Sequence, residues 1–298
     1  MWMNIWTDNV SGRQEMNGSK DLKTIIYFKG VYDTLDLFTD HLIEAFESMG
    51  YGTFVYHTAN EEVCKKMLLR LLDESQEFAV VTFNNLGYNL SFEQSEAAED
   101  EEKKPEEHNI WNYFHIPYID ILMDHPFHYE KPLCNMPETA VILCTDRNHV
   151  KYIRRFFKNI HRTDFLPHAG VELGHKHKPL NDRNIDVLYA GALPIYTVAK
   201  MIPDLHSIPE VDGEHMMQSV LGELVQHPEQ TTEQAIEAYV KSVRGDISDE
   251  RLQEIIVKMR FLDSYAYVFF SGAGGAHPCG ERHSCDRVWC WLGTVRME

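Results

Sequence analysis

The chain has 298 residues, 44% of them hydrophobic and 25% charged, an ordinary balance for one large or two average globular domains. A formal net charge of -18 disfavours nucleic acid held through its phosphates, which needs clustered Lys and Arg, and no basic stripe stands out. No apolar run approaches the ~18 residues of a membrane span, and no amino-terminal secretion signal is present, so a soluble cytoplasmic protein is expected.

Residues 1–21 are polar and without periodicity, and read as a loose leader. Thr24 to Phe28 is a short β-rich run ended by Gly30, after which Leu35, Phe38, Leu42, Ile43 and Phe46 recur at helical spacing up to Gly50. The unit repeats. Thr53 to His57 predicts a second strand, and Val63, Met67, Leu68, Leu71 and Leu72 predict the apolar stripe of a helix opening near Asn60. Phe78 to Phe83, Tyr118 to Met123 and Ala140 to Cys144 predict three further strands, followed by a helix with Val150, Ile153, Phe156 and Phe157 on one face. Strands alternating with helices predict an α/β fold with a Rossmann-like parallel sheet over residues 22–170. Within it, Glu93 to Glu107 holds eight acids against two lysines and reads as a solvated acidic loop.

Residues 171–183 read as a polar linker. Ile185 to Gly191 then predicts the first strand of a second α/β domain, incomplete, and Val198 to Tyr267 predicts a helical segment broken by prolines. Thr231 with Gln234 predicts a capping box, Ser248 before Asp249 and Glu250 another helix start, and Leu252, Ile255, Ile256, Met259 and Leu262 one apolar face. Cys64, Cys134 and Cys144 are scattered and read as reduced thiols of a cytosolic protein.

Four strings fall where a strand-like run stops and a polar turn begins: Asn84-Asn85-Leu86-Gly87, Asp124 to Tyr129, Thr145-Asp146-Arg147 and Leu166 to Gly170. In an open parallel sheet the loops leaving the carboxyl ends of the strands line the ligand crevice, so these strings are the candidate site. Asp124, His125 and His128 can supply a general base, a proton shuttle or phosphate contacts, and an Asp before a His-Pro turn can equally cap the backbone. A third strong ligand in register is lacking, so no metal is assigned. Gly30 after the first strand allows a close phosphate approach, although one glycine stands where the full fingerprint has three. His168 and Gly170 either face a ligand or shape the exit turn.

The succession His115-Ile116-Pro117-Tyr118 leading to Asp124-His125-Pro126, then Cys144-Thr145-Asp146-Arg147, Leu166-Pro167-His168-Ala169-Gly170, and Arg183 with Ile185 to Gly191 resembles the CgeB-like glycosyltransferases, named for spore-coat maturation. The resemblance covers roughly Leu22 to Phe270. It implies a GT-B architecture of two Rossmann-like domains, the first usually holding the acceptor and the second the nucleotide-sugar, with no permanently bound cofactor or metal. It implies a cleft position near the acceptor for Asp124 and His125, the candidate catalytic pair. Gly30, Asn84, Asn85, His128, Asp146, Arg147, His168, Gly170 and Gly191 are the candidate substrate-binding residues. Nucleotide-sugar is then the co-substrate, and a saccharide or other hydroxyl compound the acceptor.

The segment Ser271 to Glu298 departs from the family and has no period, and it crowds Cys279, Cys285, Cys290, His277, His283, Trp289 and Trp291 together. Its spacing fits no standard zinc knuckle. Reverse-translated from Ser271 and read one nucleotide later, it permits an amphipathic helix, a Ser-Gly-Ile turn, a strand and a Gly-x-Gly corner, as a second Rossmann-like domain requires. The expectation is an aberrant, disordered tail on a truncated or frameshifted glycosyltransferase-like chain of little activity. Two other functions stay open: a non-catalytic saccharide- or nucleotide-binding module, and an interaction domain whose acidic loop meets a basic partner.

Overall fold

The computed structural model describes residues 23–73, 77–94, 106–170, 179–182 and 204–267. The expected leader, the strand Ile185 to Gly191 and the tail Ser271 to Glu298 lie outside the described residues. Two compact units divide the chain, residues 1–121 with 136–142 and residues 122–135 with 143–298. A single six-stranded parallel sheet flanked by helices makes this a Rossmann-like α/β fold.

In the first unit, β1 (Lys23–Lys29), α1 (Asp33–Ser48), β2 (Gly52–His57), α2 (Glu61–Leu72) and β3 (Glu77–Phe83) follow the predicted order. β1 pairs with β2 from Thr24↔Gly52 to Lys29↔His57, and with β3 from Lys23↔Glu77 to Ile26↔Val80. β3 in turn pairs with β6 (Tyr118–Leu122) from Val80↔Tyr118 to Phe83↔Ile121. With β7 (Ala140–Cys144) and β8 (Arg162–Phe165) the sheet order is β2-β1-β3-β6-β7-β8. β6 and β7 are buried along their whole length and β3 in all but its first residue, the pattern of strands covered on both faces. The predicted stripes of the first two helices are only partly covered. In α1 Leu35 is buried while Phe38, Leu42, Ile43 and Phe46 are half-buried, and in α2 Leu68 and Leu72 are buried but Val63 and Met67 are exposed. The reason for α2 is its support: it packs chiefly on β2, a strand at the sheet edge with little width to cover it.

The acidic stretch is not loop at its two ends. Its two ends form a hairpin, β4 (Ser91–Gln94) against β5 (Glu106–Asn109), in the register Phe92↔His108 and Glu93↔Glu107. Two glutamates directly opposite repel. The neighbouring contacts offset this, because Phe92 meets Tyr113 edge-on at 5.0 Å and the tilted His108 ring at 5.9 Å, and Ser91 Oγ donates to Glu107 Oε1 at 2.5 Å. Asn109 caps the short α3 (Ile110–Tyr113), which seats Trp111 in the core, and Trp111 Nε1 donates to the Gly87 carbonyl at 2.7 Å.

In the second unit a 3-10 turn (Pro126–Tyr129) runs into α4 (Glu130–Cys134), and α5 (Arg147–Phe156) leads into β8, an edge strand absent from the sequence prediction. α5 buries Val150, Tyr152 and Ile153, so Tyr152 joins the core where Phe156 was expected. The helical segment comprises α6 (Gly213–Gln226), α7 (Thr232–Arg244), α8 (Asp249–Met259) and a further helical run at 261–267. Both predicted helix starts are present: Gln234 accepts from the Thr231 amide at 3.3 Å, and Ser248 Oγ from the Arg251 amide at 3.3 Å. The whole predicted face of α8, with Leu262, is buried. Arg155 of α5 ties this bundle together, reaching Glu237 of α7 through two bonds at 2.7 and 3.1 Å and Asp249 of α8 at 2.6 Å.

Candidate functional site

The strand order decides where a crevice opens in the first unit. The chain goes outward from β1 to β2, then back across β1 to β3, so the connections leave β1 and β3 in opposite directions and their carboxyl ends flank a topological switch point. Gly30 follows β1 and Asn84-Asn85 follows β3. The β3 turn folds back over β1, because a Cβ on Gly87 would stand 2.1 Å from Phe28 Cζ.

Gly30 has φ +94 and leaves room for nothing but hydrogen, since a Cβ would lie 2.5 Å from the His57 ring. Its amide is already engaged: Gly30 N–H donates to Asp36 Oδ1 and Oδ2 at 3.0 and 3.1 Å. A phosphate at this helix start would displace one carboxylate and face a second, Asp33, in the same first turn. The neighbouring side chains are open, with Val31 42% and Tyr32 58% exposed.

On the other side of the switch point Asn84 and Asn85 have φ 47 and 65, a left-handed pair that asparagine tolerates better than other side chains. The Asn85 amide donates to Asp120 Oδ1 at 2.9 Å, and Asp120 is fully buried in the middle of β6. Burial pushes the Asp120 carboxyl up to about 7, against the lowering effect of the Asn85 amide. Asp120 Oδ2 and both side-chain atoms of Asn85 are buried without a hydrogen-bond partner. Tyr118 Oη and Thr82 Oγ1 both donate to the Leu86 carbonyl, at 2.8 and 3.1 Å, and so pin the turn to the strands beneath it.

The second unit places the Asp124 turn at the end of β6 and Asp146 at the end of β7. Asp124 is exposed and accepts from Tyr129 Oη at 2.7 Å. His125 is structural at both ring nitrogens. Its Nδ1 accepts from the Phe127 amide at 3.2 Å, and its Nε2 lies 3.2 Å from Glu233 Oε2, within ion-pair distance but outside hydrogen-bond geometry. Phe127 stacks on the ring at 3.6 Å, and His149 and Tyr152 of α5 close it in at 4.5 and 5.1 Å. Burial raises Glu233, but His125 beside it, with Thr231 and the backbone, outweighs this and holds the carboxyl below its ordinary range. His149, lowered by burial and then by His125 to about 4, is neutral at physiological pH. His128 is exposed beyond this cluster.

Asp146 caps α5, accepting from the Asn148 amide at 2.5 Å, and the Arg147 guanidinium lies 4.1 Å over the Phe165 ring. His168 and Gly170 are exposed past the end of β8, and Gly191 lies outside the described residues. Among the described residues no group of three His, Cys, Asp or Glu is arranged to hold a metal. An open groove of about 350 Å³ lies elsewhere, lined by Glu62, Lys65, Lys66, Leu69, Ser91, Phe92, Glu93 and Glu107.

Four residues that shape these clusters were missed from sequence. Asp120 carried a signal, as the one charge inside an otherwise apolar strand. Asp36, His149 and Glu233 carried none, since each sits at an ordinary polar position of a helix. Comparison with protein-family models, curated proteins and solved structures gives no match.

Proposed function

We propose that the chain is a glycosyltransferase-like protein whose first sheet binds a neutral, hydroxyl-rich acceptor, with a nucleotide-sugar as co-substrate. The observation that carries this reading is the Gly30 amide. At the switch-point crevice, the donor that would grip a phosphate is held by Asp36, with Asp33 beside it and Tyr32 exposed. Carboxylates accept hydroxyl hydrogen bonds and repel phosphate, and an exposed aromatic face with a polar tip suits a saccharide ring. In the GT-B arrangement that the sequence resembles, the first domain is the acceptor side, which agrees with this chemistry. No helix among the described residues is long and apolar enough to cross a membrane, and we place the chain in the cytoplasm.

A second reading, a saccharide-binding module without catalysis, is favoured by His125. Both of its ring nitrogens face partners inside the protein, so it offers no free base to an acceptor hydroxyl. Incubating the chain with a panel of nucleotide-sugars and neutral saccharides, and assaying released nucleoside diphosphate, separates the two. Release that depends on the saccharide supports transfer. Saccharide binding without release supports the module, and absence of both refutes the acceptor site.

A further inference from the structure

In a chain with 46 acids against 28 Lys and Arg, residues 147–162 hold six Lys or Arg and no acid. α5 sorts them by face. Arg155 is engaged by Glu237 and Asp249, whereas Arg147, Lys151 and Arg154 recur at i, i+4 and i+7 and are all exposed. Lys158 Nζ donates to the Arg154 carbonyl at 3.1 Å, and Arg154 Nη2 to the Thr163 carbonyl at 2.8 Å, which gathers Lys158 and the exposed Arg162 at the carboxyl end of this row. Among the described residues Arg147, Lys151, Arg154 and Arg162 form no salt bridge with a carboxylate, and Lys158 acts on Asp249 only through space. The helix dipole accounts for cations in the last turn but opposes one at the first helical position, where Arg147 stands. The basic stripe was not seen in the sequence because its cations alternate with the buried Val150, Tyr152 and Ile153.

We infer that this exposed face of α5 is a docking surface for the acidic run Glu99-Asp100-Glu101-Glu102 of a second copy of the chain. The complementarity is one of sign, since the cations three and four apart on the helix share one face. The chain supplies the matching polyanion itself, in a run of four consecutive acids. The net charge of -18 is spread over the whole surface of each copy, whereas the contacts at the stripe act at a few ångströms, where opposite charges attract most strongly, and both effects weaken as salt is added. A nucleic acid meets the same repulsion, and the Phe165 ring beside the stripe is already occupied on one face by Arg147. The inference is independent of the proposed acceptor site.

Sedimentation velocity of the full chain, over a concentration series at low and high salt, tests it. The wild type should associate at low salt and dissociate by ~tenfold or more in Kd when the salt is raised, as exposed ion pairs require. Arg147→Glu with Lys151→Glu and Arg154→Glu should abolish association while leaving the circular dichroism unchanged, because all three are exposed. Reversal of Glu99, Asp100, Glu101 and Glu102 to Lys should do the same, and an equimolar mixture of the two reversed proteins should associate again. A wild type that stays monomeric at low salt, or association that survives reversal of the α5 face, overturns the inference. So does stripe-dependent binding of single-stranded RNA in place of self-association.

Discussion

Asp120→Asn is the most informative single change in the first unit. The wild-type carboxyl is fully buried and titrates at about 7, against about 4 in an unfolded chain. A carboxyl raised on folding binds its proton more tightly in the native state, so its contribution is fully present below the unfolded value and is lost as pH rises through about 7. Three units at 1.36 kcal/mol each give a loss on the order of 4 kcal/mol between pH 4 and pH 8. Asparagine keeps an oxygen for the Asn85 amide and cannot ionise, so this loss disappears. It leaves a buried amide donor where Oδ2 has no partner, which costs about 1–3 kcal/mol at all pH values. The variant should be less stable than the wild type near pH 4 and more stable near pH 8.5. Urea unfolding followed by circular dichroism reads this, and tryptophan fluorescence adds a probe in which Trp111, bonded to the same turn through Gly87, contributes alongside the other four tryptophans of the chain. Other titrating groups cancel in the difference between the two proteins. A stability difference that stays constant from pH 4 to pH 8.5 would refute the buried, proton-binding carboxyl.

Gly87→Ala should lower stability by about 2–3 kcal/mol, because its φ of +79 and the Phe28 ring both exclude a methyl group; an unchanged thermal midpoint would show the turn is loose. His125→Ala should cost about 2–4 kcal/mol through the lost cap and the stranded Glu233 carboxylate. Asp124→Asn, exposed and still able to accept from Tyr129, should stay within about 0.5 kcal/mol, and equal urea midpoints for the two variants would contradict this division. Arg155→Met should cost about 1 kcal/mol at low salt, discounted for a side chain 35% exposed, with the loss shrinking as salt is added; a salt-independent loss would instead assign Arg155 a packing role.

The sheet was legible because its central strands are continuous apolar runs: Phe78 to Phe83 and Ala140 to Cys144 contain no charge, and a parallel strand covered on both faces needs none. β8 was not legible, since Arg162-Thr163-Asp164-Phe165 is a short, half-exposed edge with one large apolar side chain. The β4 and β5 hairpin was hidden by composition, as a dense acidic run reads as solvated loop even where Phe92 and the aromatic side chains of α3 hold its ends together. At the candidate site, local chemistry was readable and long-range chemistry was not. The capping roles of Asp146 and His125 follow from nearest neighbours, whereas the closing of Glu233 onto His125 joins residues far apart in the chain and depends on how α7 packs.

Saturation-transfer NMR on the full chain, with a panel of neutral saccharides and with nucleoside diphosphates as competitors, tests the acceptor crevice most directly. The account predicts that at least one neutral saccharide receives transfer, that Tyr32→Ala removes it without altering the fold, and that no nucleoside diphosphate displaces it. Displacement by a nucleoside diphosphate, or transfer that is indifferent to Tyr32→Ala, would contradict it.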